Sequence, residues 1–183
     1  MSDAARRAVF LDRDGTIIED ADYLTEPGQI RILPGVPDAL RRLREAGFLL
    51  VVVTNQSAIA RGWLTEEGLA LIHAELDRRL EAEGAAVDAY YHCPHLPDGD
   101  ATGHAQTCDC RKPAPGLFLR AAREWCIDMA RSYAVGDAER DVEAGRTAGC
   151  RTILIGAGRS AHAQAHAGDL ARAANIILAA EDA

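Results

Sequence analysis

The sequence predicts an α/β protein built on a doubly wound parallel sheet of strand order 3-2-1-4-5. Three observations predict it. Apolar, β-rich runs alternate with helical segments along the chain. Several of these runs are continuously apolar rather than alternating, which suits strands covered on both faces. The runs stop at acidic or polar residues, and C-terminal strand ends are where such sheets bind ligands. Right-handed crossovers then bring the ends of strands one, two and four side by side. At 183 residues the chain is expected to be one domain, 1–183, with an ample core.

The first strand is Ala8-Val9-Phe10-Leu11, and it ends at Asp12-Arg13-Asp14-Gly15-Thr16. Gly15 lets the backbone turn sharply after the two aspartates. Residues 17–33 have no clear period and read as a flap carrying Asp20, Asp22 and Tyr23. Val36, Leu40 and Leu43 mark a helix over 36–46, stopped by Gly47. The run 48–53 is the second strand and ends at Thr54-Asn55-Gln56-Ser57. Thr65 caps a long helix to about residue 83, within which His73 reads as an ordinary helix residue. Residues 87–92 are the third strand, and 93–111 form a patternless loop of a length that is usually functional. Pro113 and Pro115 open a helix to about Trp125. Residues 132–137 are the fourth strand, ending in Asp137. A helix over 139–148 is stopped by Gly149, and 152–155 is the fifth strand. His162 and His166 are four apart and could share a helical face as solvated residues. Asn175-Ile176-Ile177-Leu178 is expected to add a short edge strand.

Composition excludes several function classes. A content of 48% hydrophobic and 26% charged residues is that of a soluble globular protein. No run is long enough to cross a membrane and no signal peptide is evident, so the expected setting is the cytoplasm, without a membrane partner. A net charge of -8 argues against nucleic acid as a partner. It leaves room for a small anionic substrate, because a bound cation reverses the sign locally. The chain is expected to act as a monomer. Of 20 Lys plus Arg, the single lysine is Lys112. An ammonium is a compact, strongly hydrated charge unlike the guanidinium, which makes Lys112 a candidate phosphate binder.

Asp12, Asp14 and Asp137 in one crevice form a dense set of negative charge that calls for a hard cation. Mg²⁺ suits oxygen ligands and leaves room for a phosphate. Asp12 can act as a nucleophile, forming an aspartyl-phosphate. Asp14 can protonate the leaving oxygen and later activate water. Thr54 can donate to a phosphoryl oxygen, and Lys112 can offset the charge on the transferred group. Asp141, one helical turn beyond Asp137, could orient Asp137 or a metal-bound water. Five cysteines are present, an odd number in a chain of cytosolic character, so a disulfide framework is not expected. Cys93-Pro94-His95 and Cys108-Asp109-Cys110 offer four ligands for a closed, structural Zn²⁺ site spanning 93–110, with His92 and His104 as alternative fourth ligands. Cys126 and Cys150 read as buried apolar residues.

The ordered motifs Asp12-Arg13-Asp14-Gly15-Thr16, Thr54-Asn55, Lys112, and Gly136-Asp137 with Asp141 resemble those of the haloacid dehalogenase (HAD) phosphatases. The resemblance spans roughly residues 8 to 156. It implies an Mg²⁺-dependent phosphatase in which Asp14 also offers its backbone carbonyl to the metal. The gaps between motifs are too short for a cap domain, so the site is expected to be open. The cysteine loop, with Thr54 to Gly62 and Cys108 to Pro113, resembles one branch, the heptose bisphosphate phosphatases, whose pattern the histidinol-phosphate phosphatases largely share. That branch implies a sugar phosphate as the small-molecule partner, hydrolysed at the C7 phosphate of heptose 1,7-bisphosphate on the way to nucleotide-activated heptose. It implies substrate contacts from Arg13, Asp20, Asp22, Tyr23, Thr54, Asn55, Gln56, Ser57, Arg111 and Lys112. Bacterial members often carry Lys directly after the Gly-Asp of the fourth motif. This chain has Ala138 there, a departure that bears on substrate and anomer rather than on mechanism. Histidinol-phosphate hydrolysis is the alternative activity, and a zinc-stabilised binding module without catalysis is the alternative class.

Overall fold

The computed structural model describes residues 5–98, 103–104 and 106–181. Six parallel strands lie in the order β3-β2-β1-β4-β5-β6, the predicted five with one more at the edge. The strands are β1 (Ala8–Leu11), β2 (Leu49–Asn55), β3 (Ala89–Cys93), β4 (Tyr133–Gly136), β5 (Arg151–Ile155) and β6 (Ala165–Ala167). The helices are α1 (Val36–Glu45), α2 (Glu66–Ala82), α3 (Gly116–Trp125), α4 (Glu139–Ala148) and α5 (Leu170–Glu181).

Alternation along β1 divides the core in two. Val9 and Leu11 join the apolar faces of α1, α2 and α5 on one side of the sheet. Ala8 and Phe10 pack with α3 and α4 on the other. Both faces are therefore covered, which is why β2 tolerates Leu49 to Val53 with no polar alternation. The long helix is capped as expected: Thr65 Oγ1 accepts from Gly68 N at 3.0 Å.

Three expectations are corrected. Asn175 to Leu178 lies inside α5 rather than in a strand. Leu170, Ala173, Ala174 and Ile177 are its buried residues, spaced i, i+3, i+4 and i+7, which is a helical stripe. The edge strand is instead β6, so His166 sits in a strand and shares no helical face with His162. Cys126 is exposed rather than buried, because it ends α3 in the left-handed conformation with φ 53°. Cys150 is buried as expected.

Between Gly15 and β2 the chain forms a loop with a single 3-10 turn at Pro27–Gln29, and then α1. Among the described residues, neither this stretch nor the one between β2 and Lys112 carries a domain-sized insertion.

Candidate active site

Asp12 follows β1 and keeps the sheet register, its N–H donating to Val135 O of β4 at 3.0 Å. Thr54 and Asn55 end β2, and Asp137 follows β4. Since β2, β1 and β4 are neighbours, these residues converge at one edge of the sheet, as the strand order predicted. Gly15 is required there twice over. Its φ of 79° belongs to the left-handed region, and a Cβ on it would overlap Asp137 Oδ2.

Lys112 is the electrostatic centre. Its side chain is 1% exposed, and three oxygens surround Nζ: Asp12 Oδ1 at 2.8 Å, Asp141 Oδ1 at 2.7 Å and Val53 O at 2.6 Å. Burial works against the ammonium, but the Asp12 and Asp141 carboxylates outweigh it and the Lys112 pKa lies above its ordinary value. Asn55 fixes the backbone beneath it. Asn55 Nδ2 donates to Lys112 O at 3.1 Å, and Lys112 N donates to Asn55 Oδ1 at 3.0 Å. Asn55 therefore lines the cleft with its carboxamide already committed to the lysine loop, which narrows its expected role as a substrate contact.

One ammonium does not balance the acids. Ligand oxygens of Asp12, Asp137 and Asp141 lie within 4.8 Å of one another. Burial first, then the charges of Asp12 and Asp141, push the Asp137 carboxyl up to about 6. Asp137 Oδ1 is buried with no hydrogen-bond partner. An orphaned carboxylate oxygen in an all-oxygen donor set fits a hard divalent cation. The Asp14 side chain is not part of this cluster. It is turned toward Arg13 and Gln56, so of the three side chains expected as metal ligands the structure gathers Asp12 and Asp137, with Asp141 in the third place.

A cleft of about 250 Å³ opens above the acids. Asp20, Asp22, Tyr23, Ser57 and Arg111 line it, as expected of substrate contacts. Arg111 Nη1 also donates to His95 O at 3.0 Å, which ties it to the cysteine loop. The sequence reading missed Arg140, an exposed residue of α4 that lines the same cleft. Arg13 departs from its expected role. It borders the cleft, yet only 1% of it is exposed and its guanidinium is turned into the protein. Thr54 Oγ1 accepts from Gln56 Nε2 at 2.8 Å, which leaves the hydroxyl proton free to donate.

The cysteine loop closes as the spacing predicted. Cys93, His95, Cys108 and Cys110 bring their ligand atoms within 4.8 Å of one another. The Sγ atoms of Cys93 and Cys108 are 3.5 Å apart, those of Cys93 and Cys110 3.1 Å, and His95 Nδ1 is 3.2 Å from Cys110 Sγ. A tetrahedral zinc–thiolate site has ligand edges of about 3.8 Å, so the cluster fits that ion with slight expansion. With Nδ1 facing the sulfurs, Nε2 points away from them, and Gln106 Nε2 lies 2.6 Å from it. Cys93 belongs to β3, where it pairs with Asn55 in register. The node thus joins the end of the sheet to the residues just before Arg111 and Lys112.

His73 is more than an ordinary helix residue. It is 9% exposed, its ring stacks on Tyr90 at 4.1 Å, and its Nε2 lies 3.4 Å from Arg13 Nη1.

Comparison with known proteins agrees with this geometry. The HAD-hydrolase-like family model matches residues 109–180. A D-glycero-beta-D-manno-heptose-1,7-bisphosphate 7-phosphatase of Yersinia pestis is 45% identical over 161 residues, 87% of this chain and 86% of the relative. The protein of the same name from Escherichia coli K12 is 45% identical over 153 residues, 83% and 80% of the two chains. Among solved structures, a D,D-heptose 1,7-bisphosphate phosphatase from B. bronchiseptica, complexed with magnesium and phosphate, superposes with a TM-score of 0.83. It is 35% identical and covers 97% of this chain and 99% of its own. A HAD-like phosphatase from Mesorhizobium loti gives 0.87 at 33% identity, covering 97% and 87%. With a heptose phosphatase pattern matched over most of the length, on the predicted sheet and around the predicted acids, the chain belongs to the HAD-like hydrolases, in the family of the heptose-bisphosphate phosphatases.

Proposed function

We propose that this chain removes the 7-phosphate of D-glycero-beta-D-manno-heptose 1,7-bisphosphate, with Asp12 as nucleophile. The observation that carries the mechanism is the placement of Asp12 beside a buried ammonium and two further carboxylates at the sheet edge. The names of its relatives support the substrate. Mg²⁺ held by Asp12, Asp137 and the Asp14 backbone carbonyl would offset the charge of the phosphoryl group. Asp12 attacks phosphorus and becomes the aspartyl-phosphate, while Asp14 gives a proton to the departing sugar oxygen. Asp14 then takes a proton from the water that cleaves the acyl phosphate. Lys112 balances Asp12 before attack and the phosphoryl oxygens after it. Thr54 donates its free hydroxyl to one of those oxygens.

Zn²⁺ on Cys93, His95, Cys108 and Cys110 would hold Arg111 and Lys112 at their entry to the site. Arg111 can grip the second phosphate in two-point fashion. Asp20, Asp22, Tyr23 and Ser57 offer partners to sugar hydroxyls. The reading takes residues 1–183 as one catalytic domain, supported by the one sheet that holds every strand among the described residues.

The test is a panel of phosphate esters compared by kcat/KM. Heptose 1,7-bisphosphate is expected to exceed histidinol phosphate at least about tenfold, or ~1.4 kcal/mol in transition-state binding. Arg111→Ala is expected to narrow that gap. A preference for histidinol phosphate would refute the substrate and leave the phosphatase chemistry standing.

A further inference from the structure

Arg13 lies between the two aspartates of the first turn, yet it is among the largest fully buried side chains of the protein. Every nitrogen of its guanidinium is engaged inside. Nε and Nη2 donate to Asp14 Oδ1 at 3.2 and 3.0 Å. Nη2 also donates to Gln56 Oε1 at 3.0 Å, and Nη1 meets His73 Nε2 at 3.4 Å. Gln56 closes the ring, its Nε2 donating to Asp14 Oδ2 at 2.9 Å. Both oxygens of Asp14 are therefore held, Oδ1 by Arg13 and Oδ2 by Gln56 together with Arg13 Nη2 at 3.0 Å.

The outer end of this network is built as carefully. His73 reaches in from α2 and stacks at 14° on Tyr90 of β3, whose hydroxyl donates to Asp77 Oδ1 at 2.6 Å. Burial first, then Arg13 and His92, hold the His73 pKa down near 3, so the ring is neutral and Nε2 has a lone pair for the guanidinium. A buried guanidinium is a costly way to fill space, since an apolar side chain of similar volume often serves stability as well or better. The arrangement is explained if what it secures is the orientation of Asp14.

We propose that His73, Arg13 and Gln56 are positioning residues for Asp14 as the proton carrier. His73 anchors Arg13 from behind, and Arg13 and Gln56 set the carboxyl. The proposal rests on the reading of Asp14 as general acid and base given above. Its signature follows from leaving-group chemistry. A departing alkoxide needs a proton from Asp14, whereas a nitrophenolate leaves without one. Mispositioning Asp14 therefore harms phosphoryl transfer from an alkyl ester far more than from an aryl ester, while the later hydrolysis of the acyl phosphate is common to both. Loosened packing alone would harm both alike.

The experiment compares the single-turnover rate of phosphoryl transfer from heptose 1,7-bisphosphate with that from 4-nitrophenyl phosphate, at saturating enzyme in excess Mg²⁺. The variants are His73→Phe, which keeps a ring against Tyr90 and removes the acceptor, His73→Gln, which restores an acceptor oxygen, and Gln56→Met. The alkyl-to-aryl ratio of this rate is expected to fall at least about tenfold in His73→Phe and in Gln56→Met, a fraction of the full effect of a general acid. His73→Gln is expected to recover most of it. If His73→Phe does not fold, Gln56→Met gives the same reading. An unchanged ratio, or a loss carried by KM, overturns the proposal. Asp12→Asn run beside these separates the two levels. If it is inactive while the ratio is unchanged, only the positioning role fails. If it retains turnover, the mechanism beneath fails with it.

Discussion

Lys112→Arg keeps the charge and changes only the shape, so its effect isolates geometry. Nζ of Lys112 is surrounded by Asp12, Asp141 and Val53 O at 2.6 to 2.8 Å in a site with almost no exposure. An ammonium can direct its three protons to three divergent oxygens; a planar guanidinium cannot, and it is larger. Hydrogen bonds to charged groups are worth about 1.5–3 kcal/mol each. Losing one of them, with overpacking of about 1–3 kcal/mol, puts the stability cost at roughly 2.5–6 kcal/mol. At about 2–4 °C per kcal/mol for a chain of this size, Tm should fall by roughly 5–24 °C. Displacing Asp12 by even part of that energy, about 1.4–2.8 kcal/mol in the transition state, lowers kcat about 10- to 100-fold. Calorimetry and turnover of an aryl phosphate at saturating Mg²⁺ measure the two quantities. Activity within about twofold of the parent, with an unchanged Tm, would refute the geometric account and make the single lysine an accident of composition.

Asp12→Asn preserves the shape of the site and removes both the nucleophile and one charge from the acid cluster; turnover should fall by orders of magnitude with little change in Tm, and near-normal turnover would exclude the aspartyl-phosphate route. Cys110→Ser should lower activity about 10- to 100-fold although the sulfur touches no substrate, because the node fixes the entry of Lys112; elemental analysis finding no zinc in protein purified without chelator would remove this account. Gly15→Ala places a methyl group on Asp137 Oδ2 at a φ of 79°, and should cost roughly 2–4 kcal/mol in stability together with most of the activity. A thermal melt and a single-turnover assay on that variant check both parts, and a variant equal to the parent would show that Asp137 has room to move.

Much of this was legible in the chain because its signals are local. Continuous apolar runs such as Leu49 to Val53 announce buried strands, and the acids at their ends announce the crevice. Cys93, His95, Cys108 and Cys110 stand in two short pairs, and their spacing announced a cluster without knowledge of the fold. What escaped depends on direction or on distance along the chain. Nothing in Asp12-Arg13-Asp14 tells which way the guanidinium turns, and its partner His73 is sixty residues away. Arg140 lies inside the fourth motif, between Asp137 and Asp141, and only the placement of α4 brings it to the cleft. β6 has three residues, too few to show a period, whereas the apolar run in α5 imitates a strand until Leu170 and Ala173 are counted with it.

The burial of Lys112 has a consequence for the chemistry the folded chain can undergo. Every other Lys or Arg position is arginine, so apart from the α-amino group a reagent directed at primary amines has a single target, and that target is sealed under Asp12 and Asp141. An acylating agent would report local opening of this site rather than surface exposure, and would do so at one defined atom. Nineteen arginines leave the outer surface silent to the same reagent. The chain thus carries its own chemical clock for how often Lys112 comes free of its carboxylates.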